Sequence, residues 1–255
     1  MANEYEIEKE VIERAMAPYP AISQIVEFST PVVSFGYPKR AKVATLGINP
    51  SSNEFQIGNG NKNPLSEGSK RLVDTELLGI NKPLSLTDSQ AREVIHGCYS
   101  YFRNKPYKWF EDLQTNVLTP TGNSYQQGTA CHLDLVQWAT DPVWQDKRMP
   151  KATRRLLLES DKEFLRFQLT NYKFDYVFLN GSTVIKQVEK LGVVELRKVD
   201  EIRFSKNGIN SRIVQGSVGN TQYIGWGLNV GYSATYKPGL EDLAQWLTRN
   251  IGKNN

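Results

Sequence analysis

Histidine and cysteine are nearly missing from this chain of 255 residues, which carries two of each: His96, His132, Cys98 and Cys131. Two cysteines cannot build a disulfide framework or a cysteine-rich metal site, and so few histidines make a zinc centre unexpected. Both thiols read as buried groups of a chain kept in a reducing cytoplasm. No apolar run reaches the length of a bilayer span, and the charged, polar start Met1-Ala2-Asn3-Glu4-Tyr5-Glu6 does not read as a secretory signal. A cytoplasmic protein with no membrane partner and no metal is expected. The phosphate-cradling pattern G-x-x-x-x-G-K-[S/T] and the dinucleotide pattern G-x-G-x-x-G are also missing; Gly58-Asn59-Gly60 fits neither. Phosphoryl and hydride transfer lose support, and no cofactor is expected. The net charge of +4 is mildly basic, which suits a nucleic-acid partner without demanding one.

What is present alternates between strand and helix patterns. Residues 4–16 read as a helix with Ile7, Val11 and Ile12 on one face, ended by Pro18 and Pro20. Lys42 to Ile48 reads as a strand. Residues 53–69, rich in Asn, Gly and Ser, read as a long loop, either mobile or a binding element. Thr87-Asp88-Ser89-Gln90 resembles a capping box opening a helix toward Asn104, with Ala91, Val94, Ile95, Cys98 and Phe102 on one face. Trp109 to Leu118 reads as a short helix and loop. Ala130 to Val136 is a candidate central strand, and 150–172 a long helix with Leu156, Leu157, Phe164, Leu165 and Leu169 inward. Tyr176–Leu179 is a strand and Val184–Leu191 a helix. Arg212–Val214 and Gln222–Trp226 read as two final strands, before an amphipathic helix that Pro238-Gly239 introduces. This alternation predicts an α/β protein, a three-layer α/β/α sandwich around a mainly parallel sheet. No linker or repeat divides it, so one domain over 1–255 is expected.

The most telling stretch is Lys42-Val43-Ala44-Thr45-Leu46-Gly47-Ile48-Asn49-Pro50-Ser51-Ser52. A buried strand stops at Asn49-Pro50. Pro50 lacks an N–H and pushes Asn49 toward extended backbone, so the turn presents Asn49 at the carboxyl end of a strand. Open α/β sheets place their ligands there.

Gly47-Ile48-Asn49-Pro50 followed by Phe55 resembles the first motif of the uracil-DNA glycosylase superfamily, nearest the mismatch-specific and single-strand-selective branches that carry Gly-x-Asn-Pro. About 130 residues on, Phe174-Asp175-Tyr176-Val177-Phe178-Leu179-Asn180-Gly181-Ser182 resembles that superfamily's strand ending in a Gly-Ser turn. The resemblance covers roughly residues 40–250. It implies a base-excising hydrolase acting on DNA as a monomer, without metal or cofactor.

Cutting a base from deoxyribose builds positive charge on the sugar and negative charge on the departing base. The resemblance makes Asn49 the group that orients the attacking water through its amide oxygen; an amide cannot take the proton as a carboxylate can. Gly47, Ile48, Pro50 and Ser51 would frame the base, with the N–H groups of Ser51 and Ser52 available to a base or phosphate. Phe55 either stacks on the flipped base or packs the loop. Asp134 lies in the strand that delivers a base-reading Asn in the family, and shares a strand face with His132. Both are base-site candidates, with a structural Asp, bonded to backbone or to Arg154 or Arg155, and a core histidine as the alternatives. An ionised Asp only accepts hydrogen bonds, so it favours an exocyclic amine over uracil, pointing to a cytosine-derived modified base, with a bulky one open. Alternatively Asp134 is the general base that Asn49 cannot be. The family's late His-Pro-Ser motif is missing: Trp226 to Pro238 contains no histidine. Asn229 would donate to the base instead, Ser233, Thr235 and Lys237 would bind phosphates, and Tyr232 and Tyr236 would wedge or stack. Trp138 to Trp144 either lines a pocket or caps the core. Lys147, Arg148, Lys151, Arg154 and Arg155 read as a solvated helix face. Repair and defence against phage DNA are both open roles. A catalytically inactive DNA-binding relative and an unrelated α/β hydrolase are the competing readings.

Overall fold

The computed structural model describes residues 5–58, 61–81, 84–104, 106–203, 210–231 and 237–251. Helix α1 (Lys9–Ala15) comes first, then strand β1 (Val43–Gly47), the hairpin strands β2 (Gln56–Gly58) and β3 (Asn61–Pro64), α2 (Asp88–Ser100) and α3 (Trp109–Leu113). Strand β4 (Ala130–Asp134), α4 (Lys151–Asn171), β5 (Tyr176–Asn180) and α5 (Ser182–Leu191) follow. Strands β6 (Arg197–Arg203), β7 (Asn210–Val218) and β8 (Thr221–Trp226) precede α6 (Lys237–Ile251).

The protein is α/β, with a central six-stranded, mostly parallel sheet in the order β4-β1-β5-β8-β7-β6. Val43 of β1 lies opposite Tyr176 of β5, which lies opposite Gln222 of β8, and both pairings are parallel. Hydrogen bonds from Lys42 N–H to Thr129 C=O and from Val136 N–H to Ile48 C=O climb both segments together, so β4 also runs parallel to β1. Strands β7 and β6 extend the sheet antiparallel. Every residue of β1 and β4 is buried, as central strands of a parallel sheet require, including the polar Thr45, His132 and Asp134. Asn49 follows β1 by two residues, Asp134 ends β4 and Asn229 follows β8 by three, so each lies at or just after the carboxyl end of a strand of the parallel set.

The chain divides into two compact units, each drawn from separated segments. The first takes Met1–Tyr37, Ile48–Tyr107 and Leu133–Gln168. Here α2 begins with the expected capping box: Thr87 Oγ1 accepts from Gln90 N–H, and Gln90 Oε1 accepts from Thr87 N–H at 3.0 Å. Its apolar stripe of Ala91, Val94, Ile95 and Cys98 is buried. Arg14 of α1 pairs with Asp161 of α4 at 2.7 Å, and Asp161 also accepts from the Gln137 N–H at 2.8 Å. That buried pair ties the segment after β4 to the two helices. The expected inward position of Leu156 fails: it is 57% exposed, because the helix turns its Leu157–Phe164–Leu165 stripe inward instead. Residues 53–69 are a built element, with a 3₁₀ turn at Ser52–Glu54, the β2–β3 hairpin and a second 3₁₀ turn at Glu67–Ser69. Gly58 has φ +82°, a conformation that favours glycine, and a Cβ there would also crowd Asn53 Oδ1.

The second unit takes Pro38–Gly47, Lys108–His132 and Leu169–Asn255, and contains most of the sheet. Leu240, Leu243, Trp246 and Leu247 form the buried face of α6, as its periodicity predicts. Strand β6 is not anticipated in the sequence, since only Ile202 among its seven residues is buried. Among the described residues no helix is long and apolar enough to cross a membrane.

Candidate functional site

In the first unit, the turn after β1 holds Asn49 by its amide nitrogen. Nδ2 donates to Pro50 C=O at 3.0 Å, Trp138 C=O at 3.3 Å and Thr140 Oγ1 at 3.1 Å. Three acceptors around one NH2 group fix which end of the amide faces outward. The amide oxygen accepts no hydrogen bond among the described residues, and Asn49 is only half-buried. Asn49 therefore presents a fixed, unspent acceptor. Ile48 and Pro50 are buried beside it, and the Ile48 carbonyl is taken by the Val136 N–H at 3.0 Å. Ser51 Oγ accepts from Asn53 N–H at 3.2 Å and caps the 3₁₀ turn, so its hydroxyl serves the local fold. Phe55 is 1% exposed. Its ring packs the loop, the second of the two readings open for it.

The same turn carries a residue that sequence reasoning missed. Glu54 is 1% exposed. Its Oε2 accepts from the Tyr101 hydroxyl at 2.8 Å, and that hydroxyl accepts in turn from the Tyr107 N–H at 2.8 Å. Oε1 is buried with no hydrogen-bond partner among the described residues. A buried polar atom left unpaired costs about 1–3 kcal/mol, so it calls for an explanation. Burial pushes the Glu54 carboxyl up to about 7; the Tyr101 hydrogen bond and the Arg71 guanidinium oppose the rise, and the neighbouring Asp134 adds to it. Arg71 donates to Asn53 C=O at 2.8 Å and sits over the Tyr107 ring at 5.2 Å. Within a loop of ordinary turn composition nothing marks Glu54. The usable signal is a lone charged residue between the Asn49-Pro50 turn and a buried aromatic.

Asp134, the last residue of β4, is buried, and its backbone carbonyl accepts from Gln137 Nε2 at 3.0 Å. Arg154, weighed as its partner, donates to the Asp146 carbonyl at 2.7 Å. Trp138 and Trp144 are both buried, so this aromatic loop is core. The first unit thus brings Asn49, Pro50, Ser51 and Phe55 onto one turn, and sets Asp134 within electrostatic reach of Glu54.

In the second unit, Gly47 is buried at the end of β1. His132 is fully buried: Nδ1 meets Thr45 Oγ1 at 2.7 Å, and Thr45 Oγ1 meets Tyr125 OH at 2.5 Å. Trp109 and Phe110 approach its ring edge-on at 5.1 and 5.3 Å. His132 thus sits as a core histidine, the second of the two readings open for it. Asn229 Oδ1 accepts from Asn180 Nδ2 at 2.7 Å. Asn180 also accepts from Trp226 Nε1 at 3.0 Å and the Val230 N–H at 2.8 Å, and donates to Val230 C=O at 3.0 Å. This clamp consumes the oxygen of Asn229 and joins the Asn180-Gly181-Ser182 turn to the segment after β8. Lys237 is exposed at the first residue of α6. Tyr232, Ser233, Thr235 and Tyr236 lie outside the described residues.

Among the described residues no cluster of three or more His, Cys, Asp or Glu is placed to hold a metal ion. No model of a known protein family matches the chain, and no curated protein sequence matches it either.

Proposed function

We propose that the protein is a DNA glycosylase, a monomer with the three-layer fold of the uracil-DNA glycosylase superfamily that hydrolyses the N-glycosidic bond of an extruded base. The observation that carries this reading is the Asn49 amide: its nitrogen is held by three acceptors and its oxygen is left open. A water bound to that oxygen is oriented toward the sugar but not deprotonated. Such a site suits a reaction in which the base departs before water attacks. The buried Asp134 supports a base that carries an exocyclic amine, hence a cytosine-derived substrate. The missing late histidine favours one other reading, a DNA-binding relative without catalysis.

The test incubates the protein with oligonucleotides, single- and double-stranded, that each carry one candidate base, and scores alkali-labile abasic sites. The expected result is cleavage on a cytosine-derived modified base and little on uracil. Asn49→Ala should lower turnover by about 100-fold or more, or about 2.7 kcal/mol of barrier, with DNA affinity nearly unchanged. Base-dependent binding without abasic sites would select the non-catalytic reading. Full activity of Asn49→Ala would remove Asn49 from the chemistry.

A further inference from the structure

We propose that Glu54 is the general acid that protonates the departing base, a role that rests on the glycosylase reading above. The Tyr101 oxygen accepts the Tyr107 N–H, and its own proton goes to Glu54 Oε2. Oε2 is therefore an acceptor, and when the carboxyl is protonated the acidic hydrogen sits on Oε1. That is the oxygen with no partner among the described residues. Glu54 thus holds a buried O–H donor with its hydrogen-bonding capacity unspent, four residues after Pro50 on the turn that presents Asn49.

The chemistry requires such a group. A cytosine-type ring is a poor leaving group as an anion and departs more readily once its N3 or O2 takes a proton. In the step proposed, Glu54 Oε1–H transfers its proton to the ring while the C1′–N1 bond breaks. The bonding pair goes to the base, which leaves neutral. The water held by Asn49 adds its oxygen to C1′ and loses one proton, which returns through solvent to the Glu54 carboxylate. One water is consumed and the acid is regenerated. The groups facing Glu54 set when it carries the proton. Burial and Asp134 hold it on, while Tyr101 and Arg71 loosen it, leaving Glu54 half-protonated near pH 7.

The experiment is single-turnover cleavage from pH 5 to 9. The substrates are oligonucleotides with 2′-deoxyuridine and with a panel running from cytosine to 5-hydroxymethyl- and 5-glucosyloxymethylcytosine. The wild-type rate on the best cytosine-derived base should fall as pH rises through about 7. Glu54→Gln keeps the shape and an acceptor for Tyr101 but has no transferable proton. It should lose about 100-fold or more on that base and the pH limb with it, and less than about tenfold on uracil, which leaves readily as an anion. Tyr101→Phe, which deletes the hydrogen bond that loosens the proton, should move the limb to higher pH. If folded Glu54→Gln keeps both rate and pH profile, Glu54 is not the acid and the glycosylase reading stands without it. If the wild type releases no base at all, the glycosylase reading fails and the acid role falls with it.

Discussion

Replacing Glu54 by Gln should stabilise the protein at neutral and alkaline pH, and the gain follows from burial. The Glu54 carboxyl is fully enclosed, and its pKa rises from an ordinary 4.5 to about 7. A group whose folded pKa lies above its unfolded value contributes stability that is complete below the unfolded pKa and is lost as pH rises through the folded one. Between pH 4.5 and about 7 the unfolded chain releases this proton while the native chain still holds it. Above that window the native state carries a buried charge that Arg71 and Tyr101 only partly offset. At about 1.4 kcal/mol per pKa unit, the wild type should lose about 3 kcal/mol across the window relative to a variant that cannot ionise there. Glutamine still accepts from Tyr101, so the comparison isolates the proton. The assay is urea denaturation of both proteins at pH 4.5, 6 and 8, followed by tryptophan fluorescence. The two should be alike at the lowest pH and diverge as pH rises. Curves that keep a constant separation from pH 4.5 to 8 would refute the assignment of a raised carboxyl to Glu54.

Three further outcomes are expected. Asp134→Asn restores a side chain that both donates and accepts, so the ratio of uracil to cytosine-derived cleavage should rise in parallel assays. An unchanged ratio would show that Asp134 does not read the base. Lys237→Ala should weaken binding to all DNA sequences about equally and reduce the salt slope of log Kd by about one, as measured by fluorescence anisotropy. Gly58→Ala forces a Cβ into positive φ against Asn53 Oδ1 and should cost about 1 kcal/mol or more in denaturation, without changing β1 or the sheet.

The parallel core was legible because strands buried on both faces print continuous apolar runs, as in Val43–Gly47 and Tyr176–Asn180. The capping box at Thr87 and the amphipathic stripe of α6 were legible for the same local reason. Strand β6 was not, because a strand with one buried side chain leaves no period to detect. The site divided along a similar line. An Asn before a Pro at a strand end is a local pattern, so Asn49 stood out. His132 stayed open because a polar side chain in a strand looks alike whether it meets a ligand or Thr45. Glu54 did not stand out because its burial is tertiary and the groups that act on its carboxyl, Tyr101, Arg71 and Asp134, are distant in sequence.

The two cysteines have a use that their inert chemistry conceals. Cys98 belongs to the first compact unit and Cys131 to the second, and both are buried free thiols. Burial pushes Cys98 up to about 12 and raises Cys131 as well, so neither offers a thiolate to a reagent while its surroundings stay closed. Each thiol is therefore a built-in reporter of opening in its own half of the chain. Pulsed alkylation followed by peptide mass spectrometry would time the two events separately in the unlabelled protein. Coincident labelling would mean that the halves open as one cooperative body, and staggered labelling would name the half that yields first.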